Sequence, residues 1–160
     1  VAKKKKAKER SYGGVVSTNR RAHHKYEMLE KFECGIQLQG SEVKSLREGS
    51  ASINEAYAII EDGQVWLHGM HIPPYTPAAM QNHQPERVRK LLMHRREIEK
   101  LIGQIGEKGL TLVPTKVYFS GAYAKVEISL ARGKQAHDKR HDIKEREMKR
   151  EMDREVRRRR

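Results

Sequence analysis

Between Tyr26 and Leu38 the chain alternates apolar and polar positions. Tyr26, Met28, Phe32, Cys34, Ile36 and Leu38 fall on one face, with Glu30 the polar exception. A period of two over this length predicts a long or bent β-strand with one buried face. Gly35 inside it points to a bulge or bend, and Cys34 on the inward side reads as a small core hydrophobe, not a nucleophile. Gly40–Gly49 follows as a short helix, with Ser41 placed to cap it, Val43 and Leu46 three apart, and Gly49 as its stop. Two hairpins come next. Ala56 to Ile60 and Gln64 to Met70 flank Asp62-Gly63, the strongest short-range turn signal. Val113 to Phe119 and Ala122 to Leu130 flank Ser120-Gly121, and Pro114 places its strand at an edge or within its first residues. Between the hairpins, His71 to Pro85 is Pro-rich and reads as a loop. Leu91, Leu92, Arg95, Ile98, Leu101, Ile102 and Ile105 then form a stripe at helical spacing that Gly106 and Gly109 end.

About five or six short strands with a helix inserted after the third or fourth predict a mainly β fold with some α. The element order suits a small OB-like closed β-barrel with about three short helices, an arrangement that commonly binds oligonucleotides. The organisation expected is a disordered basic arm at 1–14, the barrel at 15–133 and a basic C-terminal tail at 134–160. Fold alone does not give function.

Composition narrows the partners. The 160 residues carry 34 Lys+Arg against 21 Asp+Glu, a formal net charge of +13, and 36% of residues are hydrophobic. One domain with tails fits that length. No apolar run approaches the roughly 20 residues a membrane span requires, and one cysteine excludes an internal disulfide framework or a cysteine-built zinc site. Lys3, Lys4, Lys5, Lys6, Lys8 and Arg10 crowd the N-terminus. In the tail, acids and bases recur at helical spacing (Asp142 and Arg146, Glu145 and Lys149), while Ile143, Met148, Met152 and Val156 are its only large apolar residues. Such pairs support a helix by a few tenths of a kcal/mol each, but packing supplies most helical stability. The tail is therefore expected to be coil or frayed helix until a partner orders it. Two basic tails beside a basic body favour a polyanion, where counterion release drives binding.

Catalysis finds no support in the sequence. His137 and His141 are four apart, but Asp138 follows the first, no third ligand is evident, and cations surround them, so they read as solvated or phosphate-contacting. His23-His24 and His68/His71 lack acidic or thiol companions. No phosphate-binding loop and no nucleophile elbow occurs. Glu30, Glu33 and Glu42 stand apart from the interleaved charges, each either an ion-pair partner or an acceptor for a nucleobase or sugar. The expectation is a non-enzyme with no cofactor and no metal.

Several motifs in order carry a resemblance: Asn19-Arg20-Arg21-Ala22-His23-His24-Lys25-Tyr26, Phe32-Glu33-Cys34-Gly35, Gly40 to Gly49, Arg89-Lys90-Leu91-Leu92, Glu107 to Pro114, Ala124-Lys125-Val126-Glu127 and Gly133 to Arg140. Together they make the chain resemble the small protein B (SmpB) family over nearly its whole length. The resemblance implies an OB-like barrel that binds the tRNA-like part of transfer-messenger RNA, aids its aminoacylation and delivers it to stalled ribosomes in trans-translation. It implies RNA-binding positions at Asn19, Tyr26, Glu33, Leu92 and Lys125. It also implies a tail motif needed on the ribosome at Gly133, Lys134, His137, Asp138, Lys139 and Arg140. On this basis the tail enters the vacant mRNA channel near the decoding centre and folds there as a helix. The protein is then a cytoplasmic monomer with no membrane or small-molecule partner. Alanyl-tRNA synthetase and elongation factor Tu are met only through the RNA. Beyond Glu147 the tail departs from the family, with Met148 where an aromatic is often found and four arginines at the end. Val1 in place of methionine suggests processing or trimming.

Overall fold

A computed structural model describes residues 14–158 except Ala79, together with all side chains in that range but those of Glu107, Lys108, Ala136, His137 and Asp138. The basic arm expected at 1–14 lies outside the described residues apart from Gly14. The fold is mixed α and β, with seven strands and four helices among the described residues. In chain order these are β1 (Val15–Thr18), α1 (Arg20–Lys25), β2 (Tyr26–Ile36), α2 (Gly40–Arg47), β3 (Tyr57–Glu61) and β4 (Gln64–His68). A 3-10 turn at Thr76–Ala78, β5 (Arg89–Leu92), α3 (Arg95–Lys108), β6 (Thr111–Ser120), β7 (Tyr123–Gly133) and α4 (Ala136–Arg158) complete the order.

Every strand pairing is antiparallel. The pairing order is β1-β6-β3-β4-β5-β2-β7, and β7 pairs again with β6. The main core lies on one face of this sheet and under α2 and α3. It joins Phe32, Cys34 and Ile36 of β2 to Leu46, Val65, Leu67, Leu91, Leu101, Val117, Val126 and Ile128. Cys34 is buried, as its position on the inward face requires, and loss of hydration pushes its thiol up to about 12.

Several sequence expectations are corrected. Leu91 and Leu92 do not begin a helix: Leu91 pairs with both Val65 and Ile36, so Arg89–Leu92 is the strand that joins β4 to β2. Helical spacing in a short apolar run is also met by a buried strand, and here the two open neighbours decided. Helix α3 starts at Arg95, runs through Gly106 and stops at Gly109, whose φ of 58° is left-handed. Helix α1 has no periodic signal in the sequence, because only Ala22 of its six residues is buried; its one local mark is the cap, Asn19. Ser41 is not the cap of α2. Gln39 holds that position, its N–H donating to Glu42 at 2.7 Å, and Ser41 pairs instead with His83. The hairpin turns hold, with Asp62 and Gly63 both at positive φ.

The bulge in β2 falls at Leu29, not Gly35. Met28 pairs with Ala131 and Glu30 with Leu130, so one extra residue sits between them. A bulge of this kind turns the preceding residues to the other face of the sheet. Tyr26 and Met28 consequently leave the core face of Phe32 and pack with Ala22, Val113 and Ala131 in a second cluster under α1. A matching bulge at Thr115 in β6 keeps the neighbours in step. Pro114 is therefore not at an edge: it sits inside β6, between the stretch that pairs with β3 and the stretch that pairs with β1. Its missing N–H falls where no strand would accept it.

Helix α4 is one continuous run of 23 residues. None of its described residues is buried; Ile143, Met148, Met152 and Val156 are all exposed. No helix among the described residues is long and apolar enough to cross a membrane.

Candidate nucleic-acid interface

The sheet face opposite the core carries most of the predicted site. Leu92 of β5 opposes Gly35 of β2, Gly35 opposes Lys125 of β7, and Lys125 opposes Tyr118 of β6. Residues directly opposed in antiparallel strands share a face, so Leu92, Lys125 and Tyr118 form a row across four strands. Glu33, two residues before Gly35, joins them. Lys125 and the Tyr118 hydroxyl both donate to the Glu33 carboxylate. Those two hydrogen bonds, Lys125 first, hold the carboxyl below the usual range against the opposing effect of desolvation. Loss of hydration and the bond to Glu33 push the Tyr118 phenol up to about 12.

Leu92 is 53% exposed and leans over Gly35. A Cβ at Gly35 would stand 3.3 Å from the Leu92 Cβ, so the glycine allows this approach. The result is an ionised carboxylate, an ammonium group and an apolar side chain presented side by side. A carboxylate accepts from exocyclic amines, an ammonium group contacts phosphate, and leucine covers a sugar or base face.

Tyr26 stands on the same face of the sheet, roughly 20 Å along β2 from Glu33 at the usual rise per residue. The Leu29 bulge is what places it there. Tyr26 also ends α1, its backbone N–H donating to the Ala22 carbonyl. Helix α1, which precedes it, carries Arg20, Arg21, His23, His24 and Lys25, and the Arg21 guanidinium donates to Glu55 at 2.6 Å.

Asn19 is placed differently. Its side chain is 1% exposed and fully engaged: Oδ1 accepts from Ala22 N at 3.0 Å, while Nδ2 donates to the Ile53 carbonyl at 3.0 Å and the Pro114 carbonyl at 3.1 Å. It fills the gap that Pro114 leaves between β3 and β1 and fixes α1 against the sheet. Asn19→Ala is expected to lower stability by about 2 kcal/mol, because it removes a helix cap and the amide bonds to the Pro114 carbonyl and to the Ile53 carbonyl, of which the latter keeps the Ala56 N–H at 3.2 Å. Urea unfolding measures this, and a loss below about 1 kcal/mol would show that the three bonds are incidental.

Lys134 is a junction between body and tail. Its backbone N–H donates to the Lys25 carbonyl at 3.0 Å, and Nζ donates to the His23 carbonyl at 3.2 Å and to the Asp142 carboxylate. The bond from Lys134 holds Asp142 below the usual carboxylate range. Gly133 pairs with Tyr26, so the tail leaves the sheet beside α1. Lys139 and Arg140 lie on α4 in its second turn; the side chains of His137 and Asp138 lie outside the described residues.

Of the three acids that the sequence set apart, Glu42 is structural. It is fully buried and accepts from Arg87 Nε at 2.8 Å, Arg89 Nε at 2.8 Å and Gln39 N at 2.7 Å. Glu30 is paired with Lys100 of α3. The sequence missed Tyr118; the hydroxyl-bearing residue opposite Lys125 could have been found only with the β6–β7 register in hand.

The chain is also similar to known proteins. The family model described as SmpB protein matches residues 16–158. The SsrA-binding protein of Mycolicibacterium vanbaalenii is 55% identical over 147 residues, covering 92% of this chain and 89% of the relative. That of Corynebacterium jeikeium is 55% identical over 132 residues, covering 82% of this chain and 72% of the relative. A chain of the solved structure "tmRNA-SmpB: a journey to the center of the bacterial ribosome" is similar with a TM-score of 0.64 and 50% identity, covering 76% of this chain and 85% of that one. With a family match across this much of its length and relatives this similar, the chain belongs to the SmpB protein family.

Proposed function

We propose that this protein is an SsrA-binding protein: it binds transfer-messenger RNA and acts with it on the ribosome in trans-translation. The observation that carries the reading is the surface Glu33–Lys125–Tyr118 group beside Leu92, its carboxylate exposed and its two donors half-buried, on a chain of net charge +13 whose relatives are SsrA-binding proteins. The sheet, with β7 returning to β6, is read as a closed OB-like barrel. That barrel engages the tRNA-like part of the RNA through Tyr26, Glu33, Leu92 and Lys125, with Asn19 holding α1 in place behind them. The protein performs no chemistry itself. It aids aminoacylation by holding the RNA, meets alanyl-tRNA synthetase and elongation factor Tu through that RNA, and works in the cytoplasm.

The tail has a separate task. The described part of the tail, residues 134–158, is disordered in free solution and takes the α4 form against RNA. A helix with no buried face gains too little from charge pairs to persist alone, whereas an mRNA channel lined with phosphate supplies both walls and counter-charge. Gly133, Lys134, His137, Asp138, Lys139 and Arg140 form the root of this element.

The test is affinity for the tRNA-like fragment near physiological salt. Lys125→Ala and Glu33→Gln are each expected to weaken binding by about 1–3 kcal/mol, the scale of a charge-assisted hydrogen bond or one discriminating base contact. Unchanged affinity for both variants would remove this face from the interaction. Competition against ordinary tRNA and duplex RNA at several salt concentrations separates shape recognition from bulk charge. Equal competition by all three would make the protein a general OB-type RNA binder instead.

A further inference from the structure

The region between α1 and β3 holds an aromatic pair to which the RNA-binding reading gives no task. Tyr57 and His68 oppose each other on β3 and β4, their rings 5.3 Å apart and 10° from parallel. Ala58 and Leu67, the next residues on the two strands, face the core, so the Tyr57–His68 pair lies on the opposite side. Tyr57 remains 48% exposed. With Lys25, Tyr26, Asn54, Glu55, Thr111 and Val113 it lines a cleft of about 300 Å³, where the Glu55 carboxylate is paired with Arg21 at 2.6 Å.

The chemistry of that cleft is specific. Two tyrosines stand in its walls, and one of them is backed by a second ring. A ring already packed from behind loses little further freedom when another flat group stacks on it. Lys25 supplies a cation in the lining, and Asn54 supplies an amide that both donates and accepts. An aromatic wall, an amide and a cation within one small cleft match the three parts of an unpaired nucleotide: its flat base, the hydrogen-bonding edge and the phosphate. A duplex presents no free base face and would leave the aromatic wall unused.

We propose that this cleft receives one unpaired nucleotide of the bound RNA, its base against the Tyr57 ring that His68 supports and its phosphate beside Lys25. The inference rests on the RNA-binding reading and deepens it, adding a pocket for a splayed base to the Glu33–Lys125 contact. His68 acts through Tyr57 and is a positioning residue.

The experiment uses the full chain and the tRNA-like fragment of transfer-messenger RNA. Tyr57→Ala is expected to weaken binding about tenfold, Tyr57→Phe to stay within about twofold of the parent, and His68→Ala to fall between them. Stacking should also shift the Tyr57 ring-proton resonances upfield when the fragment is added. Should Tyr57→Ala fail to fold, Tyr57→Leu keeps an apolar side chain without a π face and is expected to show the same loss. Affinity unchanged in the folded Tyr57 variant, or ring resonances that do not move on saturation, would overturn the proposal. If Lys125→Ala weakens binding while the Tyr57 variant does not, the cleft fails and the functional reading stands. If the parent shows no preference for the fragment, the functional reading itself fails.

Discussion

Glu42→Gln is expected to cost about 3–5 kcal/mol of folding stability, the loss seen when one partner of a buried ion pair is removed. Glu42 and Arg89 are both fully buried, and Arg89 also donates to the carbonyls of Met70 at 2.6 Å, Arg87 at 3.0 Å and Pro85 at 3.0 Å. This group ties α2 to the long connection between β4 and β5. His83 adds to it, bonded to the Ile72 carbonyl and to Ser41. Without the carboxylate, a buried guanidinium keeps its charge but loses its counter-charge. Chemical denaturation measures the loss. Arg89→Met should destabilise as well, and the double variant should fall short of the sum because the two changes break one interaction.

The pH dependence follows with a definite sign. Burial works against ionisation of Glu42, but the hydrogen bonds from Arg87, the Gln39 N–H and Arg89, with the Arg89 charge, outweigh it and hold the carboxyl below 4.5. A carboxyl whose folded value is depressed contributes stability that is complete above its unfolded value and is lost as pH falls through the folded one. The parent should thus lose stability below about pH 4.5 more steeply than Glu42→Gln. Equal acid limbs would mean that Glu42 is not ionised in the folded protein.

Removing residues 134–160 is expected to abolish tagging of stalled chains while leaving affinity for the tRNA-like fragment within about threefold. The body keeps its core and the whole Leu92–Lys125–Tyr118 row, since α4 buries no described residue against it. What the deletion removes is a basic helix that gains most when phosphate surrounds it. Reconstituted trans-translation on ribosomes lacking a stop codon reads the effect. Full tagging by the shortened protein would exclude the tail from the mechanism. The loss of cations should also flatten the salt dependence of ribosome binding, because fewer counterions are released.

The β2 strand shows how far alternation carries and where it stops. Phe32, Cys34 and Ile36 enter the core as their period requires. Tyr26 and Met28 have the same period and do not, because the bulge at Leu29 shifts the phase, and nothing local marks Leu29 as the extra residue. That shift is what sets Tyr26 on the face of Glu33 and Lys125. Likewise Leu91 and Leu92 fit a helix by spacing and a strand by neighbours; only the vacancy between β4 and β2 resolves them.

The amino-acid order alone determined the hairpin at Asp62-Gly63, the short helix stopped by Gly49, the net positive charge of the chain and the family motifs that hold Glu33, Leu92 and Lys125. These are local or additive properties, carried by backbone preference, side-chain period and net charge. Tertiary structure decided the rest: the bulges, the burial of Asn19, the Glu42–Arg89 pair 47 residues apart and the meeting of Tyr118 with Glu33 across 85 residues. Each of these depends on register between distant strands, which is set by the closest packing of the whole core and is written in no single segment.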